Sequence, residues 1–92
     1  MNINFEKVNE ISTKKSLDLM SSGDSIFIVL EEYLDSINAP KDYSIEWNGG
    51  SGAIALLKND TEVDNYNWCK VETINYKHRS VMFSTGDTIY FQ

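Results

Sequence analysis

The 92-residue chain is poor in the side chains that build metal centres and covalent cross-links, since it has one cysteine and one histidine. Cys69 alone cannot form an internal disulfide, whereas small secreted domains usually carry several. Zinc sites need a cluster of cysteine and histidine ligands, which Cys69 and His78 do not make. The sequence therefore argues against a disulfide framework and a zinc site, and we expect neither a metal nor another cofactor.

Basic residues and long apolar runs are also scarce. Eight Lys and Arg residues face fourteen Asp and Glu residues, which gives a net charge of −6 and a pI of about 4.5. Because affinity for a phosphate backbone comes mainly from Lys and Arg, nucleic acid and anionic membranes are poor partners. No apolar run approaches the roughly 20 residues of a membrane span, and residues 1–10 do not resemble a signal peptide. We therefore expect a cytosolic protein, and a basic protein surface is a partner that suits this charge.

The length suits a single domain spanning residues 1–92, and the chain divides near Pro40 into a helical half and a strand-rich half. The spacing of apolar residues predicts a helix over 4–20, in one or two pieces. Ser12 or Thr13 is expected to cap the second piece, because a hydroxyl there can accept a hydrogen bond from the first turn.

A stronger helix is predicted over Ile26–Ile37, because its apolar residues recur on one stripe at helical spacing. Asp24 or Ser25 is expected to cap it. Pro40 closes the segment, since the residue before a proline is pushed out of the α region.

The second half of the chain is rich in alternating apolar and polar residues, which favours strands. Loops with glycine or asparagine separate them and permit tight turns. We predict an α+β fold in which an antiparallel β-sheet of four to five strands has one or two N-terminal helices packed on one face. The predicted strands are Tyr43–Trp47, Ala53–Lys58, Tyr66–Ile74, Val81–Phe83 and Thr88–Phe91.

One acidic segment resembles the start of a calcium-binding loop. Asp60, Glu62 and Asp64 alternate as the first three ligand positions of an EF-hand do. The remaining positions do not fit, because Asn65 stands where glycine is needed and Val71 where a bidentate glutamate is needed. The sequence therefore does not predict a calcium site.

Nucleophilic and phosphate-binding motifs are equally weak. Cys69 alternates with apolar residues as a buried thiol does, and His78 lies in a polar turn, so a Cys–His pair is not favoured. The glycine-rich segment 48–52 lacks the Gly-Lys-Ser/Thr ending of a P-loop and is explained by a hairpin turn. We predict no catalytic residue and expect a protein that is not an enzyme.

The acidic residues form rows that could contact a partner. In an extended segment, alternate residues point the same way about 6.5–7 Å apart, so Asp60, Glu62 and Asp64 would form a row of carboxylates. Such a row approximates the spacing of successive phosphates along a B-DNA strand, which advances about 3.4 Å per nucleotide along the axis. A second row lies on the predicted α-helix, and further acids could join either row. The carboxylates predicted to contact a partner are Glu31, Glu32, Asp35, Asp42, Glu46, Asp60, Glu62, Asp64 and Glu72.

A surface of this kind could occupy a DNA-binding site on another protein. Arg and Lys side chains in that site would meet carboxylates where they bind phosphates. The mechanism is competitive occlusion and needs no catalytic group, and pairing of two protomers would lengthen the charged face. The alternative is that these acids form a solvated face with no partner.

The length, the acidity and the order of helix and sheet resemble the Arn anti-restriction proteins of T-even coliphages, as do the helical segment 22–34 and the turn 47–52. The resemblance implies a homodimeric DNA mimic in the cytoplasm of the host bacterium. It also implies inhibition of the modification-dependent restriction endonuclease McrBC, and binding to a nucleoid protein such as H-NS would fit the same surface. The resemblance includes no short diagnostic motif, so the carboxylates named above rest on spacing alone.

Two other interpretations remain open. The protein could be a phage inhibitor or adaptor that binds a host protein through a mixed apolar surface, as an anti-CRISPR-like protein does. It could also be a small enzyme that uses Cys69 and His78. Salt dependence of binding separates mimicry from the first alternative, because ion pairs at a surface are screened by salt.

Overall fold

The computed structural model describes residues 3–39, 43–48, 53–58 and 69–92. The predicted α+β fold is confirmed, with two N-terminal helices followed by antiparallel strands. In the described residues the strands form a two-stranded sheet, β1–β2, and a three-stranded sheet in the order β3–β4–β5. The elements are α1 (Phe5–Lys14), α2 (Asp24–Ser36), β1 (Tyr43–Asn48), β2 (Ala53–Lys58), β3 (Val71–Asn75), β4 (Ser80–Phe83) and β5 (Thr88–Tyr90).

Helix α1 is a single piece, shorter than predicted. Its N-cap is Asn4, whose side-chain oxygen accepts a hydrogen bond from the Lys7 amide at 3.1 Å. It ends at Lys14, and Ser16 then adopts a left-handed backbone with φ of 55°. Ser12 does not cap a second piece, because it lies inside the helix and is fully buried. Thr13 likewise turns its hydroxyl back toward the Asn9 carbonyl, 2.9 Å away.

The buried face of α1 covers the outer edge of β5. The Ser12 hydroxyl lies 2.7 Å from the Tyr90 carbonyl oxygen, and the Tyr90 amide donates to the Asn9 side-chain oxygen at 2.8 Å. An open strand edge would leave these backbone groups unpaired and available to another chain. Two polar side chains of α1 therefore satisfy the edge and fix the helix against the three-stranded sheet.

The N-cap of helix α2 precedes both of the predicted caps, Asp24 and Ser25. Gly23 is the N-cap and has φ of 81°, a left-handed conformation that glycine adopts without steric cost. Asp24 and Ser25 are therefore the first two helical residues, and the Ser25 hydroxyl accepts a hydrogen bond from the Met20 amide at 3.1 Å. The helix ends at Ser36, and Asn38 is left-handed with φ of 57°.

The core joins both helices to the three-stranded sheet. Phe5 of α1 and Phe83 of β4 have ring centroids 5.0 Å apart, with the rings tilted by 45°. The Tyr33 hydroxyl on α2 accepts a hydrogen bond from the Asn4 amide at 2.9 Å, which fixes the start of α1 against α2. The other buried apolar residues of the described chain are Val8, Ile26, Val29, Leu30, Leu34, Ala39, Cys69, Val81, Ile89 and Phe91.

One turn and one irregularity shape the three-stranded sheet. The hairpin between β4 and β5 turns through Gly86, which has φ of 88°, and the Phe83 amide donates to the Asp87 carbonyl at 2.9 Å. The β3–β4 register shifts between Val71 and Thr73, so Glu72 lies at a bulge. No helix of the described residues is both long and apolar enough to cross a membrane.

Candidate protein-binding surface

A groove runs between α2 and β1. Strand β1 contacts α2, and Tyr43 and Ile45 on this strand pack partly buried against the core. The groove has a volume of about 220 Å³. Three apolar side chains and several polar ones line it, so its wall is mixed in character. The lining residues are Phe27, Glu31, Leu34, Asp35, Tyr43, Ser44 and Ile45.

The exposed face of α2 carries an acidic stripe, defined here as Asp24, Glu31 and Asp35. Their spacing of seven and four residues places them on one side of the helix, with exposed Ile28 between the first two. Residues 24–36 include four acids and no Lys, Arg or His. Because the opposite side of the helix is anchored in the core, a well-packed helix holds the carboxylates in place.

The C-terminal part of the acidic stripe lowers the stability of α2. Glu31 and Asp35 are four residues apart, and a like-charge pair at this spacing disfavours a helix by roughly 0.2–0.5 kcal/mol. Asp35 also lies in the last turn, where the helix dipole disfavours a negative charge by about 0.3–1 kcal/mol. The helix has no basic residue in that turn to offset either effect. Natural proteins often carry such suboptimal surface positions, and functional surfaces are one place where they occur.

Glu32 was predicted to belong to the same row of acids as Glu31 and Asp35, but in the structure it pairs with Lys15. Its Oε2 lies 3.0 Å from Nζ of Lys15, which follows the end of α1. This oxygen is withdrawn from solvent, although the side chain as a whole is 45% exposed. The Lys15 ammonium therefore offsets the Glu32 charge, and Glu32 is not part of the acidic stripe.

The ion pairs of the described residues lie away from the groove. Besides Lys15–Glu32, they are Lys14–Glu10 at 2.9 Å and Arg79–Asp18 at 3.7 Å. The hydrogen bond from Lys14 lowers the pKa of Glu10. The basic residues of this part of the chain lie on α1 and just after it, at the end of β2, before β3 and in the β3–β4 turn, and they are Lys7, Lys14, Lys15, Lys58, Lys70, Lys77 and Arg79.

The structure brings only some of the predicted carboxylates together. Glu31 and Asp35 line one groove. Glu46 is exposed on β1, and strand alternation places it on the opposite face from Tyr43 and Ile45. Glu72 is exposed on β3, which pairs with β4 and contacts β2. The predicted residues Asp42, Asp60, Glu62 and Asp64 lie outside the described residues.

Sequence reasoning missed the apolar wall of the groove and the first residue of the stripe. Asp24 was predicted to be a cap, although its spacing to Glu31 already places both on one helical face. Phe27 and Leu34 were predicted as core, and both also line the groove. No sequence signal identifies Ile45 as a groove residue, because that depends on how β1 packs against α2.

The cysteine and histidine considered for catalysis have different environments. Cys69 is buried, and His78 is exposed in the β3–β4 turn. Burial, with a smaller contribution from the Asp87 carboxylate, raises the pKa of the Cys69 thiol from 9.0 to about 12. The thiolate is the nucleophilic form, so Cys69 is poorly suited to nucleophilic catalysis at neutral pH. Among the residues placed by the structure, no group of three or more Asp, Glu, His or Cys could hold a metal ion.

The buried thiol gives a direct test of this environment. At pH 8 we expect the folded protein to react with Ellman's reagent at least about 100-fold more slowly than the urea-unfolded chain, because the thiol is protonated and covered. A Cys69→Ala variant, which has no thiol, supplies the blank. Equal rates for folded and unfolded protein would show that Cys69 is exposed and ionisable. Function retained in Cys69→Ala would exclude an enzyme that uses this thiol.

No protein-family model matches the chain, and neither a curated protein nor a solved structure does.

Proposed function

We propose that the protein is a DNA-mimic inhibitor that occupies DNA-binding sites of host proteins and so protects phage DNA. Its chief target is the modification-dependent restriction endonuclease McrBC. The observation that carries this proposal is the acidic stripe on α2, where Asp24, Glu31 and Asp35 share one exposed face of a helix without a basic residue.

The spacing of the stripe supports mimicry of a DNA strand. At about 1.5 Å per residue, Glu31 and Asp35 are about 6 Å apart along the helix axis, and Asp24 and Glu31 about 10.5 Å. One strand of B-DNA advances about 3.4 Å per nucleotide, so these intervals approach two and three nucleotides. Arg and Lys side chains of a DNA-binding site could then pair with the carboxylates in place of phosphates.

The proposed mechanism is occlusion, and it requires no reaction. The inhibitor acts as a homodimer in the cytoplasm of the host bacterium, because two protomers present a longer charged face than one. The same surface would suit the nucleoid protein H-NS. The remaining predicted carboxylates are proposed to add contacts outside the acidic stripe, with Glu46 on the face of β1 opposite the groove, and they are Asp42, Glu46, Asp60, Glu62, Asp64 and Glu72.

A competition assay tests the proposal. The protein is mixed with the McrBC complex and methylated DNA, and cleavage is followed as salt and DNA are raised separately. We expect inhibition that excess methylated substrate DNA relieves and that weakens steeply with salt, because paired surface charges are screened. Inhibition that neither DNA nor salt affects would place the binding site elsewhere on the enzyme. No inhibition at any ratio would overturn the choice of target.

A second candidate function is supported by the apolar part of the same region. The wall of the groove includes Phe27, Leu34 and Ile45, and nearby Ile28 is 37% exposed on α2. A phage inhibitor or adaptor could bind a host protein through this mixed surface without imitating DNA. Binding would then depend weakly on salt and fall on substitution of Ile28 by Ser, because burial of an apolar side chain would supply the affinity.

A further inference from the structure

We infer that the groove between α2 and β1 is a socket that binds one arginine side chain of the target protein. This inference rests on the proposed function, since the arginine is one that would otherwise contact a DNA phosphate. It adds what the acidic stripe alone does not specify, namely which cation is bound and where its apolar part lies.

The size of the groove suits a single side chain. Its volume of about 220 Å³ is below the roughly 300–1,000 Å³ of pockets that hold drug-sized ligands. Phe27, Leu34 and Ile45 supply apolar surface within it. Arginine has an apolar stem that packs on such surface while its charged end stays among polar groups.

The polar part of the groove suits a guanidinium. Glu31 and Asp35 both line it, one helical turn apart, so their Cβ atoms are about 5–6 Å from each other. A planar guanidinium has donors on several edges and can bond two carboxylates at once, whereas a lysine ammonium acts as a point charge. The Tyr43 side chain adds a polar hydroxyl and an aromatic ring at the same site.

Charge complementarity also disfavours a purely apolar occupant. An apolar side chain in the groove would remove water from Glu31 and Asp35 without replacing its hydrogen bonds, which is costly for ionised groups. The ion pairs of the described residues use neither carboxylate. An incoming arginine would supply a counter-charge to both carboxylates at once.

The test uses small probes and needs no restriction enzyme. N-acetyl-arginine methylamide is titrated into the isotopically labelled protein and followed by two-dimensional amide NMR, with the matching lysine and citrulline compounds as comparisons. Citrulline has nearly the shape of arginine but no charge. One side chain binds weakly, so the titration extends to about 50 mM, above the roughly millimolar Kd expected.

We expect the arginine probe to shift amides of residues 27–35 and 43–45, with an affinity at least about threefold above that of the lysine probe. The citrulline probe should cause no saturable shift. Glu31→Gln with Asp35→Asn should weaken arginine binding about tenfold. The matched control is Glu6→Gln with Asp18→Asn, which removes the same two types of charge from exposed sites outside the groove and should leave binding unchanged.

Four outcomes would overturn the inference. Equal binding of the arginine and lysine probes, or an equal loss of arginine binding in the control variant, would indicate that the net negative charge attracts any cation without a defined site. Equal binding of citrulline would indicate an uncharged slot, and the absence of any saturable shift would show that there is no socket. If the protein inhibits McrBC but binds no probe, the arginine socket is wrong and the proposed function stands. If the protein binds the arginine probe but does not inhibit McrBC, the proposed function alone is wrong.

Discussion

Glu31→Gln combined with Asp35→Asn is expected to weaken inhibition of McrBC about 100-fold and to make the protein more stable. A hydrogen bond to a charged group contributes about 1.5–3 kcal/mol. Loss of two such contacts, discounted for partial exposure of the site, amounts to about 3 kcal/mol, or roughly two powers of ten in affinity. The concentration of inhibitor that halves cleavage of methylated DNA measures the effect.

The same double variant is expected to gain stability while it loses inhibition, and the two effects have separate causes. The substitutions remove a like-charge pair at helical spacing and a negative charge in the last turn of α2. Together these changes should raise the free energy of unfolding by about 0.5–1.5 kcal/mol. Urea unfolding followed by circular dichroism measures this change, and a rise accompanied by lost inhibition excludes damage to the fold.

The matched variant Glu6→Gln with Asp18→Asn controls for total charge. Both residues are exposed, and Asp18 makes a pair with Arg79 at 3.7 Å that contributes little at such a site. Inhibition by this variant should stay within about threefold of the unmodified protein. If both double variants lose inhibition equally, net charge is the cause and the α2 surface has no special part in binding.

The helices show how far local patterns predict this fold. The apolar spacing of Ile26, Leu30 and Leu34 identified the buried face of α2, because a helix must bury one stripe to be stable in water. The helix ends were less predictable. Gly23 rather than Asp24 became the cap, since a left-handed glycine can turn the chain into the helix without a side-chain hydrogen bond.

Side chains with long-range partners were beyond the reach of sequence patterns. Ser12 has the chemistry of a cap, but it lies under β5, 78 positions away along the chain. Glu32 belongs by spacing to the exposed acids, but Lys15 from the preceding helix pairs with it. Both outcomes depend on how α1 packs, which is a tertiary property that no local spacing encodes.

The carboxylates of the candidate site were predictable from the sequence, whereas the groove beside them was not. Glu31 and Asp35 were identified because four-residue spacing alone places them together on a helix. The groove beside them requires β1 to lie along α2, and Tyr43 and Ile45 gain their role only from that packing. A sequence can therefore predict a charged face of a helix, whereas the apolar surface next to it appears only in the folded chain.

Phe83→Ala is the substitution expected to cost the most stability. Phe83 is 1% exposed, and its ring lies 5.0 Å from that of Phe5, so it connects β4 to α1. Truncating a buried phenylalanine leaves a cavity and typically costs about 3–5 kcal/mol. A domain of this size has roughly 5–14 kcal/mol in total, so the variant should lose about a fifth or more of its stability.

Urea unfolding tests this loss, with Tyr90→Ala as the matched control. Tyr90 is also aromatic and lies on the neighbouring strand, but its side chain is 51% exposed, so its truncation should cost less than about 1 kcal/mol. Equal losses in the two variants would show that Phe83 is not a central core residue. At low temperature, where Phe83→Ala remains mostly folded, its inhibition per folded molecule should be unchanged, because the acidic stripe lies on α2. The double variant of Glu31 and Asp35 should therefore lose inhibition without losing stability, whereas Phe83→Ala should lose stability without losing inhibition. This is expected when the core and the binding surface use different residues.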